Sequence, residues 1–551
     1  MAFITRKEDF QPTNSHKENP CAGKRKRRWN SWLFPIVGLL SLVWFLVRVV
    51  PKPSRATYPC QRVAAPLAGS FVLWIAAALA SLSAFRRAMK LMAQSKLVLA
   101  CACLVIASAI AVGVFVTMPE RMALADDPAP NTPIGVAKGA NPGRVVWTYD
   151  PGATDWIGPG HGHWWESEHT HQAAVDAMMS GALRRLSGKQ NDRDSWNAFF
   201  KYFNKTHGNG DVGYKPGEKI VVKANFVGCI VTPTAGGVDP NSYDLVRGVD
   251  YMNTSPQMIL ALLHQLVKAA GVSQTDITVG DPLALFPNQY YDMCYREFPK
   301  VHYLDHNGGT PEHPRTRVQP SSVPFYWSSR PVGKAQDYVP DAYAEAKYLI
   351  NMANLKSHTG AGVTLCAKNH FGSLIRTPPA QGYYDMHQSL PMRTAGSGHY
   401  RDLVDLMGHA HVGGKTLVCF IDGLYAGVHP IETTPRKWNS APFNGSWTSS
   451  LFASQDPVAI DSAAFDFLWA EWTNYPHMSG ADDYLHEAAL ANNPPSGTFY
   501  DPDHATDVAR LASLGVHEHW NNARDRQYSR NLGVGNGIEL FKIGPGIGDH
   551  P

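Results

Sequence analysis

Three long apolar runs open the chain, Leu33 to Val50, Val63 to Phe85 and Leu97 to Met118, and the second and third contain no charged residue. An α-helix needs roughly 20 apolar residues to cross about 30 Å of hydrocarbon, so three transmembrane helices are expected at 33–50, 63–85 and 97–118. Residues 119–143 lose this pattern and fill with Pro, Ala, Gly and Asn, the composition of a flexible tether. From Arg144 onward short apolar, β-branched runs alternate with segments of helical spacing. Arg144 to Tyr149, Lys219 to Phe226, Ile277 to Gly280, Lys347 to Met352 and Thr416 to Ile421 read as buried strands. His171 to Leu186, Ser195 to Phe203, Pro256 to Ala270 and Asp456 to Trp472 read as helices. This alternation predicts an α/β domain over 144–551, with a mostly parallel sheet covered by helices on both faces.

Charge orients the chain. Residues 1–125 carry 17 basic and four acidic side chains, which leaves 33 basic against 42 acidic in the remainder. The basic clusters sit at Lys24 to Arg28 and at Arg86 to Lys96. Positive residues flank the cytoplasmic ends of membrane helices, so the N-terminus is expected inside and the large domain in the periplasm or outside the cell. Ala123-Leu124-Ala125 before Asp126-Asp127 also resembles a signal-peptidase site, so cleavage after Ala125 and release of the domain is the alternative. A chain with 44% apolar residues whose large part is acidic argues against a nucleic-acid partner and against disorder. Its four cysteines, Cys229, Cys294, Cys366 and Cys419, have no paired spacing. No iron-sulfur cluster is expected within this chain, and buried thiols are the simplest reading.

The strands share one feature, a polar end. Ile220-Val221-Val222 leads into Lys223 and Asn225; Ile277 to Gly280 ends at Asp281; Tyr348 to Met352 leads to Asn354, Lys356 and His358; Leu417 to Ile421 ends at Asp422. Ligands of open α/β sheets bind at the C-terminal strand ends, so a common site is expected there. Lys356, His358, Asp281 and Asp422 are the candidates for proton transfer, with His358 the leading acid or base because imidazole titrates near neutrality. Lys223, Asn225, Lys368, Asn369 and Asp461 are the candidates for holding a small anionic or polar substrate. The ordinary reading of each Asp, as a counterion or a cap, stays open beside this one.

Six motifs, in order, are similar to those of the domain of unknown function family 362. They are Val222 to Asn225, Val279-Gly280-Asp281, Asn354 to His358, Gly362 to Gly372, Ile421-Asp422-Gly423 and Asp456 to Asp461. The resemblance spans about Arg144 to Asn531. Where this chain reads Lys223-Ala224-Asn225, relatives read Lys-Pro-Asn, and the ferredoxin-like cysteine module of many relatives is absent. The resemblance implies the fold and the strand-end site, and no particular reaction.

His161, His163, His169 and His171 lie within eleven residues together with Glu166 and Glu168. Three readings stand: a site for a divalent metal such as Zn²⁺, a lid or packing element built on Trp164 and Trp165, and a solvated loop. His517-Glu518-His519 is read as a surface feature, and Asp456 as a helix cap. Two functions follow: a membrane-tethered exported enzyme acting on a small anionic or polar organic molecule, or a non-catalytic ligand-binding or partner subunit of a membrane complex.

Overall fold

The computed structural model describes residues 130–547 except 232–235, 247–249, 330–336, 376–383, 429–433, 474, 479 and 505–509. Before residue 130 it describes scattered positions between 39 and 105, continuous from 82 to 94. The chain divides into two compact units, Met1–Ala125 and Asp126–Pro551. In the first, a helix covers 82–93. No helix of the described residues is long and apolar enough to cross a membrane; the expected spans at 33–50, 63–85 and 97–118 fall largely outside those residues.

Fourteen strands occur among the described residues of the second unit: β1 (Ile134–Gly135), β2 (Arg144–Tyr149), β3 (Ile220–Ala224), β4 (Ile277–Gly280), β5 (His302–Asp305), β6 (Thr316–Arg317), β7 (Pro320–Phe325), β8 (Asp337–Pro340), β9 (Tyr348–His358), β10 (Gly362–Thr364), β11 (Thr416–Gly427), β12 (Ser450–Ser454), β13 (Val516–His517) and β14 (Glu539–Ile543). Ten of them build one sheet in the order β14-β2-β12-β11-β9-β3-β4-β5-β6, with β10 paired to β9. All five expected strands are in it, and they run in the same direction. β12 runs against its neighbours β2 and β11, and β10 against β9. Every other pair is parallel.

Period-two alternation divides the strands between two cores. Val145, Trp147, Val221, Leu349, Cys419 and Ile421 face one; Val146, Ile220, Val222, Ile350, Val418 and Phe420 face the other. Helices α1 (Gln172–Ser187), α2 (Asp192–Thr206) and α3 (Pro256–Leu263, whose last turns widen over His264–Ala269) cover the second core. The first is covered by α4 (Cys366–Asn369), α5 (Asp402–Gly408), α6 (Pro457–Glu471) and α7 (Asp483–Ala489). Helices on both faces relieve a parallel sheet of any wet side. Asp456 caps α6 as expected, accepting from the Val458 and Ala459 amides at 3.1 and 2.9 Å.

The expected tether is ordered at its far end. β1 pairs β13 antiparallel, and the Asp456 carboxylate accepts from the Lys138 amide at 2.8 Å. These are contacts over more than 300 residues, which local periodicity cannot reveal.

Successive connections from β3 lead through β4 and β5 to one side of the sheet, whereas β9 and β11 lie on the other. The order therefore reverses between β3 and β9. At such a switch the loops above adjacent strands part in opposite directions and leave a crevice at their C-terminal ends.

Candidate functional site

Lys223 is the last charged residue of β3 and is fully buried, as is its partner Asp281 just beyond β4. The Lys223 Nζ donates to Asp281 Oδ2 at 2.8 Å and to Asn369 Oδ1 at 3.1 Å. The Asp281 carboxylate also accepts from the amides of Phe226 and Leu283, at 3.1 Å each. Charge and hydrogen bonds are thus compensated together, which a buried ion pair requires. Burial pulls the Lys223 amine below its ordinary pKa, and Asp281 opposes the fall. Gly372 lies directly over the pair: a Cβ there would stand 2.6 Å from Asp281 Oδ1 and 3.0 Å from Lys223 Nζ. Only glycine lets the backbone come this close.

From Lys223 the network passes over the end of β3. Asn225 Nδ2 donates to Asn369 Oδ1 at 3.0 Å, and Asn225 Oδ1 accepts from the Lys356 amine at 2.9 Å. Lys356 also donates to the Met252 carbonyl. Lys223 and Asn351 are register partners on the face of Val221 and Leu349, while Lys356 projects from the face of Ile350 and Met352. Asn225 and Asn369 join the two faces.

Lys356 is the exceptional member. It is fully buried, yet among the described residues no carboxylate lies in ion-pair range of its amine. Burial, reinforced by the nearby Lys223 charge, drives its pKa well below the ordinary lysine value, against the weaker pull of Asp422. It belongs to β9, which continues through His358. The sequence ends that strand at Met352, and the correction matters: Lys356 is anchored in the sheet, not carried on a loop.

Other expected residues take different places. Asp422 accepts from the Ser255 amide at 2.8 Å and from the Leu424 amide at 3.1 Å, tying the start of α3 to β11; burial raises its pKa. Asp461 accepts from the Cys366 and Ala367 amides at 2.8 and 2.9 Å and from the Tyr484 hydroxyl at 2.9 Å. It therefore positions α4, the helix that presents Asn369, and does not itself enter the network. Burial pushes its pKa up to about 6. His358 is half-buried, and its Nδ1 accepts from the amides of Gly360 and Ala361 at 2.9 and 3.1 Å, so Nε2 is the nitrogen that carries the proton.

Lys368 points away from Asn369, its amine 3.5 Å above the Phe371 ring. Burial brings its pKa down to about 7, with Asp402 opposing. Asp402 is fully buried, and neither carboxylate oxygen accepts a hydrogen bond of good geometry. Its pKa is pushed up to about 8 by burial, partly offset by Ser389 and Lys368. His387, lowered to about 4 by burial and by Lys368, lies beside this pair. Nothing in the local sequence pattern singles out Asp402, the first residue of α5. The sequence also missed Asn351 and His370, joined at 3.0 Å, although a polar residue inside the run Leu349 to Met352 was a usable signal.

The His161 to His171 segment packs over the end of β11. Trp164 is buried against Tyr425, whose hydroxyl donates to the His169 carbonyl at 2.6 Å. His163 meets Asp250 at 2.7 Å, whereas His169 and His171 face Asp155 at 3.4 and 3.2 Å. The four histidines do not converge on one point. His517, read from the sequence as a surface residue, is fully buried. Among the described residues, the histidine and carboxylate group whose donor atoms all lie within 4.8 Å is Asp482, His517 and His519.

Asp402 gives a test in pH. Its folded pKa is raised, so the folded state holds a proton that the unfolded chain has lost, and stability falls as pH rises from about 4 to about 8. Asp402→Asn is expected to melt higher than the parent, with a gain that grows across that window to several kcal/mol at pH 8. Melting curves at pH 5 and pH 8 check this; a gain independent of pH contradicts it.

Comparison with known proteins is sparse. No curated protein and no solved structure matches this chain. The model of the family described as Domain of unknown function (DUF362) matches residues 238–466. That stretch is narrower than the resemblance read from the motifs and begins after Lys223 and Asn225, but it contains Asp281, Lys356, His358, Lys368, Asn369, Asp422 and Asp461. The likeness to the DUF362 family is thus shown for residues 238–466.

Proposed function

We propose that the chain is an exported, membrane-tethered protein that binds a small anionic or polar organic molecule at the β3–β9 strand ends, with the Lys356 amine as the group that meets it. The observation that carries this reading is the burial of Lys356 without a carboxylate partner, beside a second lysine whose charge Asp281 already balances. A neutral buried amine is a base, and a charged one seeks an anion. Either form is completed by an acidic ligand. Proton uptake by Lys356 would then accompany binding, and an ionisable C–H or O–H of the ligand beside it could give up its proton. His358, two residues further along β9, is the group assigned to pass a proton onward, with its Nδ1 engaged by the Gly360 amide and Nε2 as the proton-carrying nitrogen.

A second reading keeps the site but not the turnover. Lys223, Asn225 and Asn351 are all hydrogen-bonded to Asn369. Such a set favours a rigid binding or partner subunit.

Lys356→Met removes the amine while nearly filling its volume. Small-molecule mass spectrometry of protein purified from its own host is expected to recover an acidic compound from the parent and at least tenfold less from the variant. The variant is expected to melt within a few degrees of the parent, since losing two hydrogen bonds is offset by no longer burying an amine. Equal recovery from both proteins contradicts the reading. Export is checked separately: a reporter fused after Asp127 is expected to be active only outside the cytoplasm, and activity only inside contradicts the tethered topology.

A further inference from the structure

We propose that Asp482, His486, His517 and His519 form a binding site for one divalent first-row transition ion, with Zn²⁺ as the representative. Nothing in the strand-end reading requires this site, and it lies beyond the residues that match the family model. Asp482 Oδ2 stands 3.3 Å from His519 Nε2, 3.6 Å from His486 Nε2 and 4.0 Å from His517 Nε2. Ligands about 2.0–2.1 Å from a tetrahedral Zn²⁺ are separated from one another by roughly 3.3 Å; the donor atoms of Asp482, His517 and His519 already lie within 4.8 Å of one another, and His486, beside Asp482, becomes the fourth ligand once its ring turns inward.

The protons make the stronger argument. The Ser462 hydroxyl gives its one hydrogen to the Val458 carbonyl at 2.8 Å, so toward His517 Nδ1, also at 2.8 Å, it must accept. His517 therefore carries its proton on Nδ1. Its Nε2, fully buried and without a hydrogen-bond partner, aims a lone pair at the Asp482 carboxylate. A lone pair and a carboxylate facing one another while buried repel unless a cation stands beside them, and a metal ion bound to both supplies it. His519 is likewise held from behind, while its Nε2 meets Asp482 Oδ2 at 3.3 Å. Its Nδ1 meets Asp466 at 2.6 Å, and that carboxylate is fixed by the Trp520 amide at 3.0 Å and the Tyr528 hydroxyl at 2.9 Å. A carboxylate behind an imidazole, orienting its other nitrogen, is the usual support of a metal-bound histidine.

The scaffold is rigid and the donors suit the ion. His517 lies on β13, Ser462 and Asp466 on α6, and Asp482 and His486 at the start and within α7. Three imidazoles and one carboxylate favour Zn²⁺ or a neighbouring first-row ion over Mg²⁺ or Ca²⁺. The His486 and His519 side chains are each 12% exposed, which gives the ion a way in. With four protein ligands the site is closed, so its role is structural: it clamps β13, and with it β1, to α6 and α7.

The test uses the full-length protein, stripped with chelator and titrated with Zn²⁺ by calorimetry. One equivalent is expected to bind, and Co²⁺ in its place is expected to give the strong visible bands of a four-coordinate centre. His517→Ala and His519→Ala are expected to weaken Zn²⁺ binding at least about 100-fold, and Asp466→Asn about 10- to 100-fold. Joint replacement of His161, His163, His169 and His171 by Ala is expected to leave the equivalent in place. If an alanine variant does not fold, the Co²⁺ spectrum of the parent and the Asp466→Asn titration decide. Absence of stoichiometric Zn²⁺ binding, or unchanged affinity in the folded variants, overturns the proposal and leaves a proton on His519 as the cluster's only cation.

Discussion

The ion pair between Lys223 and Asp281 is the constraint on which the strand-end architecture depends. It is buried at the point where the sheet order reverses, and removing either partner would leave a charge inside the protein at a cost of about 3–5 kcal/mol. Its demands explain its surroundings. Asp281 takes two backbone amides as well as the lysine, Asn369 turns its oxygen toward both Lys223 and Asn225, and Gly372 lacks the side chain that would collide with the pair. Asp461 then fixes α4, from which Asn369 reaches in.

Once that charge is balanced, Lys356 becomes the outlier. Its neighbours offer neutral oxygens, from Asn225 and Met252, and the nearest formal balance is spent on Lys223. Proteins seldom bury a lysine in this state without use for it, because a displaced pKa is what makes an amine reactive or responsive to an anion. Lys368 and Asp402 pose the same problem less sharply, with pKa values of about 7 and about 8 that place both near their transitions at neutral pH. The strand-end region thus contains several groups whose protonation is readily moved by a ligand.

Much of this was legible in the sequence. β-branched runs gave the five parallel strands, and the polar residues after them marked the edge where the network lies. The limits of that reading are physical. β12 and β14 are short segments whose places beside β2 come from partners far away in the chain, so local pattern could not give the sheet order. Lys356 was read as a loop residue because alternating Asn354, Lys356 and His358 look solvated, whereas they continue a strand whose polar face is buried by the segment around Met252. His517 was read as exposed for the same reason: a charged-looking triplet, His517-Glu518-His519, gives no sign that Ser462 and Asp466 on a distant helix enclose it. In both cases burial was decided by tertiary partners, and residue type alone pointed the wrong way.

The account stands on the charge state of one amine. Lysine labelled with ¹³C at Cε and ¹⁵N at Nζ, with the Lys356 signal identified by its absence from the Lys356→Met spectrum, reports that state directly across a pH titration. The account predicts an Nζ transition well below the ordinary value near 10.4 in the ligand-free protein, moving upward when an acidic ligand binds. A Lys356 amine that stays charged up to pH 10 in the ligand-free protein would contradict it.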